Sequence, residues 1–146
     1  MHIEQVERVK TVLRTKSAKD YNWEAYTVLI VEDDSINFKV IEAMLRNTKI
    51  KIIHADNGLK AIDKVRTEPK LDLVLMDVHL PELSGLEATK IIQGINQRLP
   101  IIAQTANAMS EDKDKCIEAG CVDYISKPID MNELFSKVSK YLPAEE

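Results

Sequence analysis

Cysteine is scarce in this chain, and long apolar runs are absent from it. The two cysteines, Cys116 and Cys121, are too few for a zinc site, which needs about four nitrogen or sulfur ligands. We expect both to be small buried hydrophobic residues in a reducing compartment. No apolar run approaches the ~18 residues of a membrane span, and the charged N-terminus carries no signal peptide. We therefore expect a cytoplasmic protein that makes no membrane contact through this segment, or the cytoplasmic part of a membrane-bound parent.

An excess of basic residues is lacking as well. The chain has 20 lysines and arginines against 24 aspartates and glutamates, a net charge of −4, and no long basic stripe. This balance argues against a nucleic-acid-binding surface. The remaining composition, with 45% hydrophobic and 30% charged residues in a chain of 146, is typical of one soluble globular domain.

Short apolar runs alternate with amphipathic segments from residue 27 onward. The runs at 27–31, 50–54, 73–76, 101–104 and 122–125 predict five strands, each followed by a helix. Strands that alternate with helices form a parallel sheet with helices on both faces. Five such units favour the α/β flavodoxin-like (βα)5 sandwich, with strand order 2-1-3-4-5.

The predicted helices differ in how clearly their apolar stripes are marked. The first is placed at 36–47, and the fourth has few strong hydrophobic residues, chiefly Ile117, so we expect it to be the least firmly packed. The other four stripes consist of Val40, Ile41, Met44, Leu45, Leu59, Ile62, Val65, Leu86, Ile91, Ile92, Ile95, Leu134, Phe135, Val138, Tyr141 and Leu142.

Residues 1–26 precede this alternation. Ile3, Val6, Val9 and Leu13 recur at near-helical spacing and predict an amphipathic helix outside the main fold. Residues 21–26 are aromatic and include the single tryptophan. We expect residues 1–26 to be a helix and linker, 27–142 one domain, and 143–146 a tail. The apolar stripe needs a cover, either the domain itself, a second copy with which the chain self-associates, or a segment of a parent protein.

Polar residues follow the predicted strands at their carboxyl ends. Asp77 ends the run of the third strand, which is apolar throughout and therefore suits a position buried on both faces. In open α/β sheets, ligands bind at the carboxyl ends of the strands, where the strand order reverses. The other polar residues at these ends are Glu32, Asp33, Thr105 and Lys127.

Four motifs in this order resemble the receiver domain of two-component response regulators. They are V-E-D-D-S-I-N (31–37), D-L-V-L-M-D-V-H-L-P-E-L-S-G (72–85), I-I-A-Q-T-A-N-A-M (101–109) and D-Y-I-S-K-P-I (123–129). The resemblance covers about residues 27–142. It implies that Asp77 accepts a phosphoryl group from a phosphohistidine of a histidine kinase or phosphotransfer protein.

The resemblance also implies a Mg²⁺ site. Asp33 and Asp77 are the expected direct ligands, Glu32 acts through a water, and His79 contributes its backbone carbonyl. Three carboxylates about 5 Å apart repel by roughly 3 kcal/mol per pair, so they need a divalent cation, and oxygen ligands suit Mg²⁺, for which Mn²⁺ can substitute.

The remaining implied residues bind phosphoryl oxygens and switch the surface. Lys127 and Thr105 hold the new phosphoryl group, which draws the loop after the fourth strand inward, and Tyr124 then changes rotamer. Gln104 departs from the family, because it places an amide where an apolar residue is usual, and it needs a buried partner or a water. The Lys127–Pro128 bond resembles the cis bond of the family.

Two alternatives from other classes remain. One is a receiver-like interaction module that works without phosphorylation. The other is an aspartate-nucleophile phosphatase, which would normally have a second aspartate where His79 stands. As an isolated domain a receiver promotes only its own phosphorylation and dephosphorylation.

Several residues have predicted places around this site. Asp34 is expected to be solvated and His54 to be a structural histidine. Ile36 and Phe38 lie on the two flanks of the core stripe of the first helix, near the acids, and suit either donor docking or packing at the edge of the core. The sequence ends just past the last predicted helix, so we expect a stand-alone regulator without an output domain or a receiver from a larger chain. Glu32 and the lead-in segment favour a hybrid histidine kinase.

Overall fold

A single parallel sheet organises the chain. The computed structural model describes residues 21–106 and 110–143; the predicted helix over 1–20 and most of the predicted tail lie outside these residues. The strand order is β2-β1-β3-β4-β5, which confirms the predicted flavodoxin-like fold class. The strands are β1 (Thr27–Val31), β2 (Lys51–Ala55), β3 (Leu73–Asp77), β4 (Ile101–Thr105) and β5 (Asp123–Ser126).

Helices cover both faces of this sheet. The helices are α1 (Ser35–Leu45), α2 (Gly58–Thr67), α3 (Gly85–Ile95), α4 (Ser110–Ala119) and α5 (Met131–Tyr141). One face packs against α1 and α5 in a cluster that includes Ile41 and Phe135, and the other packs against α2, α3 and α4 in a cluster that includes Ile62 and Ile92. All five residues of β3 are buried, because β3 is the central strand.

Helix ends follow capping chemistry visible in the sequence. Asp34 is exposed, as expected, and its Oδ1 also accepts from the amides of Ile36 (2.9 Å) and Asn37 (3.4 Å), so that it caps α1. Asp130 caps α5, as predicted. Gly120, at a φ of +114°, ends α4, also as predicted.

The apolar stripes of the helices are rotated from some of their predicted positions. Val40, Leu59, Ile91 and Ile95 are exposed, and so is Ile117. These predictions were wrong because the residues that face the sheet include small ones, which let helix and strand approach closely. The small residues that take these positions are Ala61, Ala88, Cys116 and Ala119, all buried. Of the predicted stripe residues, Ile41, Leu45, Ile62, Val65, Ile92, Leu134, Phe135, Val138 and Leu142 are buried.

The aromatic segment before β1 packs into the core on the α1/α5 face. Trp23 is 5% exposed, and its amide donates to the carbonyl of Thr48 at 2.6 Å. The rings of Tyr21 and Trp23 lie against Phe135, with centroids 5.3 and 5.6 Å away. The hydroxyl of Tyr26 donates to the carbonyl of Pro143 at 2.5 Å. Trp23 therefore closes the core between the end of α1 and α5.

Within the described residues, no helix combines the length and the apolarity that a membrane crossing requires.

Candidate functional site

Three carboxylates meet at the carboxyl end of the sheet, as predicted. Glu32 follows β1 directly, Asp33 is the next residue, and Asp77 ends the adjacent strand β3. One oxygen from each carboxylate lies within 4.8 Å of the others. Glu32 and Asp77 are buried, whereas Asp33 is exposed, so the cluster opens to solvent on one side.

Lys127 closes the cluster from the other side. Its Nζ lies 3.1 Å from Asp77 Oδ2 and 3.2 Å from Glu32 Oε1. The bond between Lys127 and Pro128 is cis, in agreement with the resemblance. The amide of Lys127 donates to the carbonyl of Thr105 at 2.8 Å, which fixes the start of this loop on β4. The ammonium thus bridges two buried carboxylates.

The proximity of these charges alters their protonation. Burial raises the pKa of Glu32, and a hydrogen bond with Asp77 and its negative charge raise it further. Burial acts to lower the pKa of Lys127, but the attraction of Asp77 and Glu32 outweighs it, so the pKa is raised. The ammonium therefore stays charged, while the raised pKa of Glu32 favours a proton or a cation beside its carboxylate.

Close backbone contacts fix the position of Asp77. Its Oδ1 accepts from the amide of His79 at 3.0 Å. The start of α3 lies directly against the end of β3, because a Cβ added to Gly85 would come within 1.9 Å of the Asp77 carbonyl oxygen. The amide of Gly85 donates to the carbonyl of Val78 at 3.0 Å. Only glycine fits this contact.

Asn37 and His54 hold Glu32, and the sequence did not indicate either role. The side-chain amide of Asn37 donates to Glu32 Oε1 from the first turn of α1. His54 was expected to be structural, and its Nε2 lies 2.8 Å from the Glu32 carbonyl oxygen. Ala55 accepts from the Glu32 amide at 3.0 Å, so the backbone of Glu32 is bound on both sides. The position of Asn37, one helical turn after the acid pair, is the sequence feature from which its contact with Glu32 could have been predicted.

The two predicted switch residues lie on neighbouring strands, Thr105 at the end of β4 and Tyr124 on β5. Thr105 is fully buried, and its Oγ1 donates to Asp112 Oδ2 on α4 at 3.4 Å. Tyr124 is half-buried against the α2/α3/α4 face. The Nζ of Lys137 lies 4.7 Å from the centroid of the Tyr124 ring. Thr105 therefore connects the end of β4 to α4. Tyr124 lies on the same side of the sheet as α4.

The donor set fits a hard divalent cation. Opposite ligands of an octahedral Mg²⁺ lie about 4.2 Å apart, and adjacent ones about 3 Å. Oxygens within 4.8 Å of one another match these separations after small side-chain adjustments, with waters in the remaining positions. Burial and the charge of Asp77 raise the pKa of Glu32, and the added positive charge of a cation would relieve this repulsion.

Comparison with known proteins places the chain in a family. The family model of the response regulator receiver domain matches residues 28–139. A polar-differentiation response regulator, DivK, of Brucella anthropi is 40% identical over 118 residues, which is 80% of this chain and 95% of that protein. DivK of Brucella ovis is 39% identical over the same length.

Solved structures agree. The receiver domain of the sensor histidine kinase PA1611 from Pseudomonas aeruginosa, with a magnesium ion coordinated in its active site cleft, is 37% identical with a TM-score of 0.74. It matches over 80% of this chain and 96% of its own. The receiver domain of Ssk1 from Saccharomyces cerevisiae, crystallised with the histidine phosphotransfer protein Ypd1, is 35% identical with a TM-score of 0.74, over 80% of this chain and 88% of its own. This chain belongs to the response regulator receiver domain family.

Proposed function

We propose that Asp77 accepts a phosphoryl group from a phosphohistidine and thereby relays a two-component signal. The observation that carries this proposal is the juxtaposition of Asp77 with Glu32, Asp33 and the Lys127 ammonium at one strand end. Phosphoryl transfer depends mainly on positioning and charge neutralisation, and this cluster supplies both.

In the transfer, one carboxylate oxygen of Asp77 attacks the phosphorus atom. The bond between phosphorus and the histidine nitrogen breaks, and that nitrogen keeps the electron pair. Lys127, already paired with Asp77, stabilises the negative charge of the phosphoryl oxygens. Thr105 leaves Asp112 and donates its hydroxyl to a phosphoryl oxygen, which draws the β4–α4 loop inward, and Tyr124 fills the vacated space.

A divalent cation belongs to this proposal. Asp33 and Asp77 would hold Mg²⁺ directly, Glu32 through a water, and His79 through its carbonyl. The bound cation supplies charge neutralisation at the phosphoryl oxygens. Mn²⁺, which also prefers oxygen ligands, should substitute.

The donor is a histidine phosphotransfer protein or a histidine kinase, and we propose that it docks partly on α1. Ile36 is 73% exposed at the start of α1, beside the acid pair, and an exposed apolar side chain suits a partner helix. The likeness to the Ssk1 receiver, which was crystallised with a phosphotransfer protein, supports this class of donor.

We also propose a hybrid histidine kinase as the parent protein, with this domain on the cytoplasmic side. The likeness to the receiver of a sensor histidine kinase and the V-E-D-D-S-I-N motif support this context. The domain would comprise residues 27–142. The apolar stripe of residues 1–20 would pack against kinase helices in the parent and mediate self-association when the domain is isolated.

Mass spectrometry tests the central proposal. Incubation with a small acyl-phosphate donor and Mg²⁺ should add one phosphoryl group to the intact chain. Asp77→Asn should abolish the addition, and a chelator should prevent it. Labelling of the Asn variant, or labelling without a divalent cation, would overturn the proposal.

A further inference from the structure

The side-chain amide of Gln104 is buried in the sheet. It is 1% exposed at the penultimate position of β4. Neither its Nε2 nor its Oε1 finds a partner among the described residues. A buried polar group in this state is costly, whereas an apolar residue of the same shape would remove the cost. The position therefore calls for an explanation other than stability.

The register of the sheet places Gln104 inside the site. It pairs with Asp77 on β3 and with Ile125 on β5. Side chains alternate along a strand, so Gln104 lies on the α1/α5 face, like Ile102 and Ile125. Asp77 also lies on this face, because it follows Leu75 by two residues. Gln104 and Asp77 are therefore neighbours across one strand spacing, about 4.8 Å.

Lys127 must cross β4 to reach its partners. It follows Ile125 by two residues at the end of β5, and β4 separates β5 from β3. Its Nζ nevertheless lies 3.1 Å from Asp77 Oδ2 on β3. The residue of β4 on that face, beside Asp77, is Gln104. Because Asp77 and Gln104 share one register position, the ammonium that reaches Asp77 lies near the strand position of Gln104.

The ammonium has more donors than the two contacts use. A lysine ammonium carries three N–H donors, and Asp77 and Glu32 account for two of them. A divalent cation and a phosphoryl group both compete for these two carboxylates. The ammonium then needs a hydrogen-bond acceptor that is not itself a ligand of the cation. A neutral amide oxygen is such an acceptor.

We propose that Gln104 is a positioning residue for Lys127, whose ammonium it holds over Asp77 through Oε1 when the carboxylates engage a cation or a phosphoryl group. The inference rests on the proposed phosphorylation of Asp77. In the resting protein the Gln104 amide is unpaired within the described residues. It gains its hydrogen bond to Lys127 when the carboxylates bind a cation or when Asp77 carries a phosphoryl group. A positioning role and a packing role therefore predict different results. If Gln104 positions Lys127, removal of its amide stabilises the resting fold but slows phosphorylation. If Gln104 serves packing, stability and rate fall together.

The test variant is Gln104→Met, which keeps the length of the side chain and removes both polar atoms. The control is Thr89→Val, a buried polar-to-apolar change on α3, away from the acid cluster. Thermal unfolding of Gln104→Met should occur at a higher temperature than that of the unmodified chain. Its phosphorylation by a small acyl-phosphate donor should slow about fivefold, the net value of one hydrogen bond. Thr89→Val should keep the unmodified rate, and Mg²⁺ affinity should change less than twofold in both variants.

A second measurement does not depend on phosphorylation. In the Mg²⁺-bound chain, NMR should show slower exchange of the Lys127 ammonium hydrogens with water in the unmodified chain than in Gln104→Met. A variant with a higher unfolding temperature but unmodified rate and ammonium exchange would overturn the inference. So would a rate that falls together with the unfolding temperature, because that result assigns Gln104 to packing. If the unmodified chain is not phosphorylated, the proposed function fails, and the inference fails with it.

Discussion

The ring of Phe38 stacks on the imidazole of His54, with centroids 3.7 Å apart and planes 10° from parallel. Nε2 of this imidazole lies 2.8 Å from the carbonyl oxygen of Glu32. Phe38 is therefore connected, through one ring, to the backbone that carries the acid pair. Ile36, its predicted companion on the flank of α1, is 73% exposed. Substitutions of Phe38 and of Ile36 should therefore affect the reaction for different reasons.

We expect Ile36→Ser to slow phosphotransfer from a cognate phosphotransfer protein and to spare the reaction with a small acyl-phosphate donor. The reason is that Ile36 offers apolar surface to a partner and contributes little to the core. The control is Ile91→Ser, which removes a 42% exposed isoleucine from α3 on the opposite face of the sheet. Equal slowing with both donors would show damage to the site instead of lost docking.

Phe38→Ser should slow phosphorylation by the cognate phosphotransfer protein and by the small acyl-phosphate donor alike. Loss of the stack frees the His54 ring, which then holds the Glu32 carbonyl less firmly, so the acid pair becomes less well positioned for a cation. We expect weaker Mg²⁺ affinity in this variant, measured by titration calorimetry, and unchanged affinity in Ile36→Ser. Unchanged Mg²⁺ affinity together with slowing by the protein donor alone would make Phe38 a docking residue, as the sequence suggested.

The sequence was sufficient for the fold and for the acid cluster. Strand–helix alternation favoured the sheet order, and the resemblance to receiver domains supported it. Residues that end adjacent parallel strands meet at one edge whatever the details of packing. Glu32, Asp33, Asp77 and Lys127 were therefore predictable as a group. The only information they require is the order of the strands and the position of each strand end.

Contacts between elements were not predictable in the same way. The stack of Phe38 on His54 joins two elements through side-chain rotamers, which no periodicity encodes. The exposure of Val40 and Leu59 was missed because large hydrophobic residues dominate a stripe, whereas small residues occupy the closest helix–sheet contacts. Trp23 lies before the first strand and carries no pattern that indicates its buried position.

Lys127→Ala should leave Mg²⁺ affinity at neutral pH within tenfold of the unmodified value, since the ammonium is not a metal ligand. The pH dependence should nevertheless change. A proton must leave Glu32 before a cation binds, so affinity rises with pH until Glu32 is ionised. Lys127 lowers the pKa of Glu32, which burial and Asp77 raise, so its removal displaces this rise to higher pH.

Titration calorimetry at several pH values from acidic to neutral measures this displacement. A tenfold weaker Mg²⁺ affinity at neutral pH, about 1.4 kcal/mol, would contradict the role assigned to Lys127. An identical pH profile in both proteins would show that the ammonium does not influence Glu32.

Asp123→Asn should destabilise the fold by about 1 kcal/mol at neutral pH. Asp123 Oδ1 lies 3.3 Å from Lys137 Nζ, and the hydroxyl of Tyr141 donates to its Oδ2 at 3.1 Å. Partial burial acts to raise the pKa of Asp123, but hydrogen bonds from the Tyr124 amide and Lys137 and the charge of Lys137 outweigh it, so the pKa is lowered.

Because the folded pKa is depressed, the stabilisation is present above the ordinary value of 3.8 and disappears as pH falls through the lower folded value. Denaturant unfolding at a series of pH values should show the two proteins converge at acidic pH. Asp114→Asn, an exposed change on α4, serves as the control. If the difference in unfolding free energy between the two proteins persisted unchanged at the most acidic pH, the effect would come from the shape of the side chain and not from its charge.

Trp23→Ala should destabilise the fold, whereas deletion of residues 1–20 should leave its stability nearly unchanged. Trp23 is 5% exposed and closes the core between Thr48 and Phe135, so its truncation leaves a cavity and should cost about 3–5 kcal/mol. Residues 1–20 carry a predicted helix whose apolar stripe we assign to a partner, so their deletion should preserve folding and Mg²⁺-dependent phosphorylation of Asp77. Denaturant unfolding measures the first effect. Sedimentation at several protein concentrations should show that the deletion also removes self-association. If the deletion lowered the free energy of unfolding as much as Trp23→Ala does, the N-terminal segment would belong to the core of the receiver.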